Sequence, residues 1–413
     1  MRIGHVGLVL GLMLSALTGC GGDEAAPPPA TPPAPPPVAS PATPAPTQTV
    51  ATPAPAPKPT MAELQAATGK ATMEAMATKD AKKFAATFAE DGVWNMVGVG
   101  EMKGRAEIEK QIQGWFDGFK DMKFGFSRSW SKGDMAAFEW GWTGTHSAEF
   151  MGMKATEKPA GAMGVSLVWF NPDGTVKRNN HYVDTSTIMT QLTGKGKARP
   201  VPTLAANMDS WAAKGTPEED KNVEAWKTMM NGFAGKKEAD FLATVSDDIE
   251  WSDMAAPESH KGKADAKKAY QMMSKAFPDA KFTPTASMGV GDMAIVEYTM
   301  SGTHKGALMG KPATNKPVNA HGIAIVQIKD GKVAKGWDYM NSMEMAMQLG
   351  WVKAPTAAKT DAKPGEAKKP EAKPGDAKKP EAKPADAKKP EAKPADTKKP
   401  EAKKPEAKPA EKK

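Results

Sequence analysis

The sequence predicts an α+β protein with two tandem domains, each a curved antiparallel sheet wrapped around helices and together flanked by disordered Pro-rich segments. Three observations predict it. Residues 143–152 return as residues 301–310, carrying His146 and His304 at a separation of 158. Asp134-Met135-Ala136 recurs as Asp292-Met293-Ala294, Trp94 as Trp251, Gly164 as Gly322 and Tyr182 as Tyr339, so one domain is present twice. Within each copy the apolar period is helical first and then switches to two. Both ends of the chain have compositions that cannot build a core.

The chain opens with Arg2 and an apolar run at residues 6–17, too short to span a bilayer and typical of a signal peptide. Leu17-Thr18-Gly19-Cys20 resembles a bacterial lipobox. That resemblance implies removal of residues 1–19 and acylation of Cys20, the chain's one cysteine, which would hold the protein to a lipid bilayer. The alternative is an ordinary secretory signal with an incidental cysteine. Gly21 rather than Asp follows, so the expected address in a Gram-negative host is the cell envelope at the outer membrane. A single cysteine excludes an intrachain disulfide. Residues 20–59, rich in Ala, Pro and Thr, read as a semi-rigid stalk.

The first domain, residues 60–195, starts at the capping-box spacing Thr60 to Glu63. A short helix follows at 81–88 with Phe84 and Phe88 one turn apart, then a strand at 93–97. Ile108, Ile112, Trp115 and Phe119 stripe a helix at 106–119. Strands are expected at 122–130, 135–145, 163–170 and 175–183, and a closing helical turn at 186–192. Residues 196–204 form a linker. The second domain, residues 205–352, repeats the order, with helices at 217–232, 236–245 and 264–276 and strands near Trp251 and at 281–289, 293–303, 321–329 and 332–340. Residues 353–413 repeat a ten-residue Lys, Pro, Ala and Glu unit, a solvated spacer or a weak contact with anionic envelope polymer.

The net charge of +8 lies in the tail, where residues 351–413 hold 19 Lys against 11 Asp and Glu. The remainder is balanced, which gives no support to nucleic-acid binding. There is no Gly-rich phosphate loop, no His-Glu-x-x-His and no serine elbow, so neither cofactor nor metal is expected.

Strand alternation selects candidate site residues. Phe138, Trp140, Trp142 and His146 share a face, as do Val296, Tyr298, Met300 and His304. On the last strand Asn180, Tyr182 and Asp184 share a face, matched by Trp337, Tyr339 and Asn341, with Asp338 on the other side. The expected ligand contacts are Trp94, Trp140, Trp142, His146, His181 and Tyr182 in the first domain. In the second they are Trp251, Tyr298, His304, Trp337, Tyr339 and Asn341.

Trp94, the Gly-Thr-His-x-x-Glu-Phe-x-Gly segment from Gly144, the Asp-Gly hairpin and the closing Tyr182-x-Asp184 with Gln191-Leu192 resemble the SnoaL-like branch of the nuclear transport factor 2-like superfamily. The resemblance spans residues 61–195 and 205–351 and implies cone-shaped domains. It also implies an aspartate on the closing strand acting as acid and base on a carbon acid beside a histidine, which would be Asp184 with His146 or His181. Asp184 is equally placed to cap the final helix, and each repeated histidine to bond a backbone group at the core edge. Asn341 stands where Asp184 would repeat and cannot take a proton, so the second domain is expected to be the purer binder. The leading expectation is an envelope lipoprotein binding a small apolar or amphipathic molecule. One alternative is an isomerase or cyclase of carbonyl compounds using Asp184 and His146. Another is a scaffold whose sheet faces pair, domain with domain or as a homodimer.

Overall fold

The computed structural model describes residues 58–352; the signal segment, Cys20, nearly all of the stalk and the tail lie outside the described residues. The first domain runs α1 (Met61–Thr78), α2 (Ala81–Ala86), β1 (Phe88–Met96), β2 (Gly100–Lys103), α3 (Gly104–Gly118), β3 (Lys123–Lys132), β4 (Met135–Thr145), β5 (Pro159–Phe170), β6 (Val176–Val183) and α4 (Thr185–Thr193). After a short strand β7 (Asp209–Ala212) come α5 (Pro217–Ala234), α6 (Glu238–Ala243), β8 (Val245–Asp253), β9 (His260–Lys261) and α7 (Gly262–Ala276). β10 (Lys281–Val290), β11 (Met293–Thr303), β12 (Pro317–Lys329), β13 (Lys332–Met340) and α8 (Ser342–Leu349) complete it. No helix among the described residues is long and apolar enough to cross a membrane.

Both first helices start as the sequence predicts. Thr60 and Glu63, and again Thr216 and Glu219, exchange side-chain and backbone hydrogen bonds in capping boxes. The sheets are mixed rather than wholly antiparallel. Their orders are β2-β1-β6-β5-β4-β3-β7 and β10-β11-β12-β13-β8-β9, with β1 parallel to β6 and β8 parallel to β13. The early strand is separated from its partner by most of the domain, so it can lie alongside in either sense. β7 departs from expectation too. It falls in the segment assigned to the second domain yet pairs in parallel with β3, and Trp211 stacks on Trp130 at 5.7 Å.

Each sheet is buried on both faces. The concave face holds its own helices, with Trp94, Ile112, Trp115 and Phe119 in one core and Val223, Trp226, Tyr270 and Phe277 in the other. The convex faces pack on one another in a third core, where Trp130, Val165 and Leu167 meet Ile295, Ile323 and Ile325. Burying both faces replaces strict alternation by nearly continuous apolar runs in β4, β5, β11 and β12.

The polar groups of this third core are exchanged across an approximate twofold. The Tyr182 hydroxyl donates to Glu297 at 2.8 Å, and the Tyr339 hydroxyl donates to Glu139. Bulges in β3 and β10 bring Ser127 and Thr285 to the same two carboxylates at 2.6 and 2.8 Å. The symmetry breaks at Arg128, which forks onto Glu139 at 2.5 and 2.7 Å and stacks on Trp337 at 3.9 Å. Glu297 takes Asn180 instead, at 2.6 Å. Burial works against the charge of Glu139, but the Arg128 guanidinium outweighs it and holds the carboxyl below the usual range.

Candidate functional site

The space between each sheet and its helices contains a cavity. The first, of about 90 Å³, is walled by Phe84, Trp94, Trp115, Phe124, Trp140 and Trp142 among other apolar groups, and no charged side chain lines it. Its polar wall is a short chain. Trp140 Nε1 donates to Ser166 Oγ at 3.1 Å, and Ser166 Oγ lies 3.1 Å from His181 Nδ1. The His181 ring stacks on Trp140 at 4.4 Å and meets Trp94 edge-on at 5.3 Å. Burial pushes this imidazole down to about 3, so it is neutral across the physiological range. Gly164 makes the stacking possible, because the Trp140 ring lies across its Cα where any Cβ would overlap it.

The second cavity, of about 220 Å³, is lined by Trp226, Phe233, Trp251, Phe282 and seven methionines, with Tyr298, Asp253, Asp338 and His260 as its polar members. Asp253 and Asp338 are register partners on the parallel strands β8 and β13, so both side chains leave the sheet on the cavity side. The Tyr298 hydroxyl donates to both carboxyl oxygens of Asp338 at 2.9 and 3.0 Å. Burial and then repulsion from Asp253 push Asp338 up to about 8, against the opposing pull of Tyr298. Burial also raises Asp253; Asp184 adds to the rise, while the Ala255 backbone N–H and the Arg199 guanidinium restrain it. Arg199 comes from the linker and donates to the Asp253 and Ala256 carbonyls at 2.8 and 2.9 Å.

Of the expected contacts, Trp94, Trp140, Trp142 and His181 line the first cavity, and Trp251 and Tyr298 the second. The others do not. His146 faces inward at the closed end of the sheet, fully buried against Phe119 and Phe150, where its Nδ1 accepts from Thr156 N at 3.2 Å. His304 repeats this with Thr314 N at 3.1 Å and packs on Phe277 and Trp351. Both histidines pin the loop that returns to the next strand. Tyr182, Trp337 and Tyr339 belong to the contact between the sheets. Asp184 caps α4 through Thr187 N at 2.8 Å and also accepts from Ser342 N at 2.9 Å. Asn341 caps α8 and accepts from Thr185 Oγ1 at 2.9 Å, so each cap reaches the partner domain's helix. Asp184 and His146 therefore do not converge on a cavity. The carboxyl groups that line a cavity, Asp253 and Asp338, are in the second domain, the one expected to be the purer binder.

Missed by sequence reasoning were Ser166, Asn179, Asp253 and Asp338. The repeat register held a signal for one of them. Asp338 occupies the place of His181, and Tyr298 that of Trp140, so the cavities put different chemistry on equivalent positions. No group of three or more His, Cys, Asp or Glu side chains suited to a metal occurs among the described residues.

Residues 70–179 match the family model described as SnoaL-like domain, and residues 223–349 the one described as SnoaL-like polyketide cyclase. The chain carries two SnoaL-like domains in tandem. Among solved structures, this SnoaL-like pair is similar to AclR from Streptomyces galilaeus at 23% identity, covering 34% of this chain and 87% of that one with a TM-score of 0.31. TsrD from Streptomyces laurentii is 20% identical, covering 32% and 97% with a TM-score of 0.30. IdmH from Streptomyces antibioticus, provisionally assigned as a polyketide cyclase, is 20% identical, covering 31% and 98% with a TM-score of 0.29. No curated protein matches the chain.

Proposed function

We propose that the second SnoaL-like domain transfers a proton next to the carbonyl group of a small, mostly apolar molecule, the chemistry of an isomerase or ring-closing cyclase. The observation that carries this reading is the Asp253–Asp338 pair, adjacent on β8 and β13 in an apolar cavity that no lysine or arginine lines. Two carboxyls so placed share one proton near neutrality. Burial raises both, Asp338 to about 8, and in this reading Asp338 keeps the proton and Asp253 is the base.

Asp253 removes a proton from the carbon beside the carbonyl. The C–H electron pair becomes the enolate, whose oxygen accepts a hydrogen bond from protonated Asp338. Return of the proton at another carbon completes an isomerisation; alternatively the enolate carbon attacks a second carbonyl, whose π pair moves to oxygen and takes the proton back from Asp253, closing a ring. The aromatic and methionine wall excludes water and adapts to ligand shape.

A β,γ-unsaturated cyclic ketone, followed by the ultraviolet absorbance of its conjugated product, tests this. Asp253→Asn is expected to lower kcat/KM by about 10²- to 10⁴-fold, the span of general base catalysis. Asp338→Asn keeps an N–H donor and loses less. The wild-type rate should fall as pH rises through about 8, where Asp338 gives up its proton, and this limb should vanish in Asp338→Asn. An undiminished rate in Asp253→Asn removes the proposal.

We further propose that acylated Cys20 tethers the domains to the outer membrane of a bacterial envelope, with the Pro-rich residues 20–59 as the spacer; the lipobox resemblance supports this. Cys20→Ser should move the protein from the membrane pellet to the soluble fraction, and continued sedimentation with membranes would contradict the tether.

A further inference from the structure

The first cavity contains polar atoms that its own protein leaves unused. Trp94 Nε1 and Asn179 Oδ1 are both buried without a hydrogen-bond partner. Both residues line the cavity, and they are register partners on the parallel strands β1 and β6. A donor and an acceptor thus stand side by side in a mostly apolar chamber, in addition to the Trp140–Ser166–His181 chain. Buried polar groups are almost always paired, so an orphaned couple of opposite kind points to a missing partner able to serve both. The neighbouring hydroxyls are already committed. Thr68 donates to Gly174 O at 2.7 Å, Thr72 to Thr68 O at 2.9 Å and Thr87 to Phe84 O at 2.7 Å.

We propose that this first cavity is a binding site, separate from the carboxyl pair, for a neutral single-ring aromatic molecule bearing a hydroxyl group. A hydroxyl accepts from Trp94 Nε1–H and donates to Asn179 Oδ1 through one oxygen, which a bare carbonyl cannot do. The ring class follows from the wall, since Phe84, Trp94, Trp115, Phe124, Trp140 and Trp142 offer faces and edges for offset and T-shaped contacts. The size follows from the volume of about 90 Å³, and neutrality from a lining without a single charged side chain. The second cavity does not repeat the arrangement, because Gly336 occupies the place of Asn179 and Ala324 that of Ser166. Nothing in this inference depends on proton transfer in the second domain.

Titration calorimetry of the full chain with phenol and with toluene, which replaces the hydroxyl by a methyl group, tests it. Phenol is expected to bind at least about tenfold more tightly than toluene, the scale of a buried polar pair satisfied or left empty, and benzoate is expected not to bind. Trp94→Phe keeps a ring but removes the donor, and Asn179→Val keeps the strand but removes the acceptor. Each should bring phenol down towards toluene. If one variant fails to fold by circular dichroism, the other variant and the ligand pair still decide. Equal affinity for the two ligands, absence of phenol binding because solvent fills the chamber, or a preference that survives a folded variant overturns the proposal.

Discussion

Replacing Glu139 by leucine is expected to destabilise the folded chain by about 3 to 5 kcal/mol, because it strands the Arg128 guanidinium between two sheets without a counter-charge. The pair is well buried, with 19% of the Arg128 and 5% of the Glu139 side chain exposed, so solvent screening relieves little of that cost. Tyr339 loses its acceptor in the same substitution. Glu297→Gln serves as the internal comparison. Its partners Asn180, Tyr182 and Thr285 are neutral donors, and an amide oxygen keeps part of what the carboxylate did. A loss of about 1 kcal/mol is expected there. Urea unfolding of the three proteins measures both values. Because the shared core joins the domains, the wild type is expected to unfold in one transition and Glu139→Leu to separate it into two. Similar midpoints for wild type and Glu139→Leu would show that the ion pair contributes nothing to holding the sheets together.

Asp338→Asn is expected to make the protein more stable above neutrality, and by more as pH rises to about 8. The folded chain holds the Asp338 proton up to about 8, whereas the unfolded chain releases it near the ordinary value of 3.8. Between those limits the folded state binds more protons. Stability therefore falls as pH rises through the window and levels off above it. Asparagine cannot ionise, so the variant should lack this slope while keeping a similar shape and one donor towards the cavity. Urea midpoints at acidic, neutral and alkaline pH separate the cases, and parallel pH curves would show that burial does not hold the Asp338 proton. The same group links stability to the proposed chemistry. Stability falls up to about 8 because the unfolded chain has already released this proton, and the expected rate falls from there upward, where the folded chain releases it too.

The elements were legible because their signals are local. The β4 span 135–145 was read to the residue, and the Thr60–Glu63 capping box was visible in a four-residue window. The parallel pairing of β1 with β6 was not, since nothing within either strand specifies the direction of so distant a neighbour. The site was half legible for a reason of the same kind. Alternation separated Tyr182 and Asp184 from His181, and Tyr339 from Asp338, but it cannot say which set faces the helices when both faces are buried. Taking the tyrosine face as internal sent Asp184, Tyr182, Trp337, Tyr339 and Asn341 to the wrong side of their strands. On β4, Trp140 and Trp142 were placed correctly, while His146 has the right direction but the wrong depth, beyond Phe119.

The crossed caps at the start of α4 and α8 carry a consequence for how such a molecule can change. In an assembly of two identical chains, a residue on the axis confronts its own copy, and every substitution arrives twice. Covalent fusion lifts that restriction. Asp184 can accept from Ser342 while an amide, Asn341, rather than a second carboxylate accepts from Thr185, and Arg128 can lie on Trp337 without a matching cation opposite. Each chamber is then free to drift on its own, and an imidazole on one side and an acid on the other become compatible within a single polypeptide.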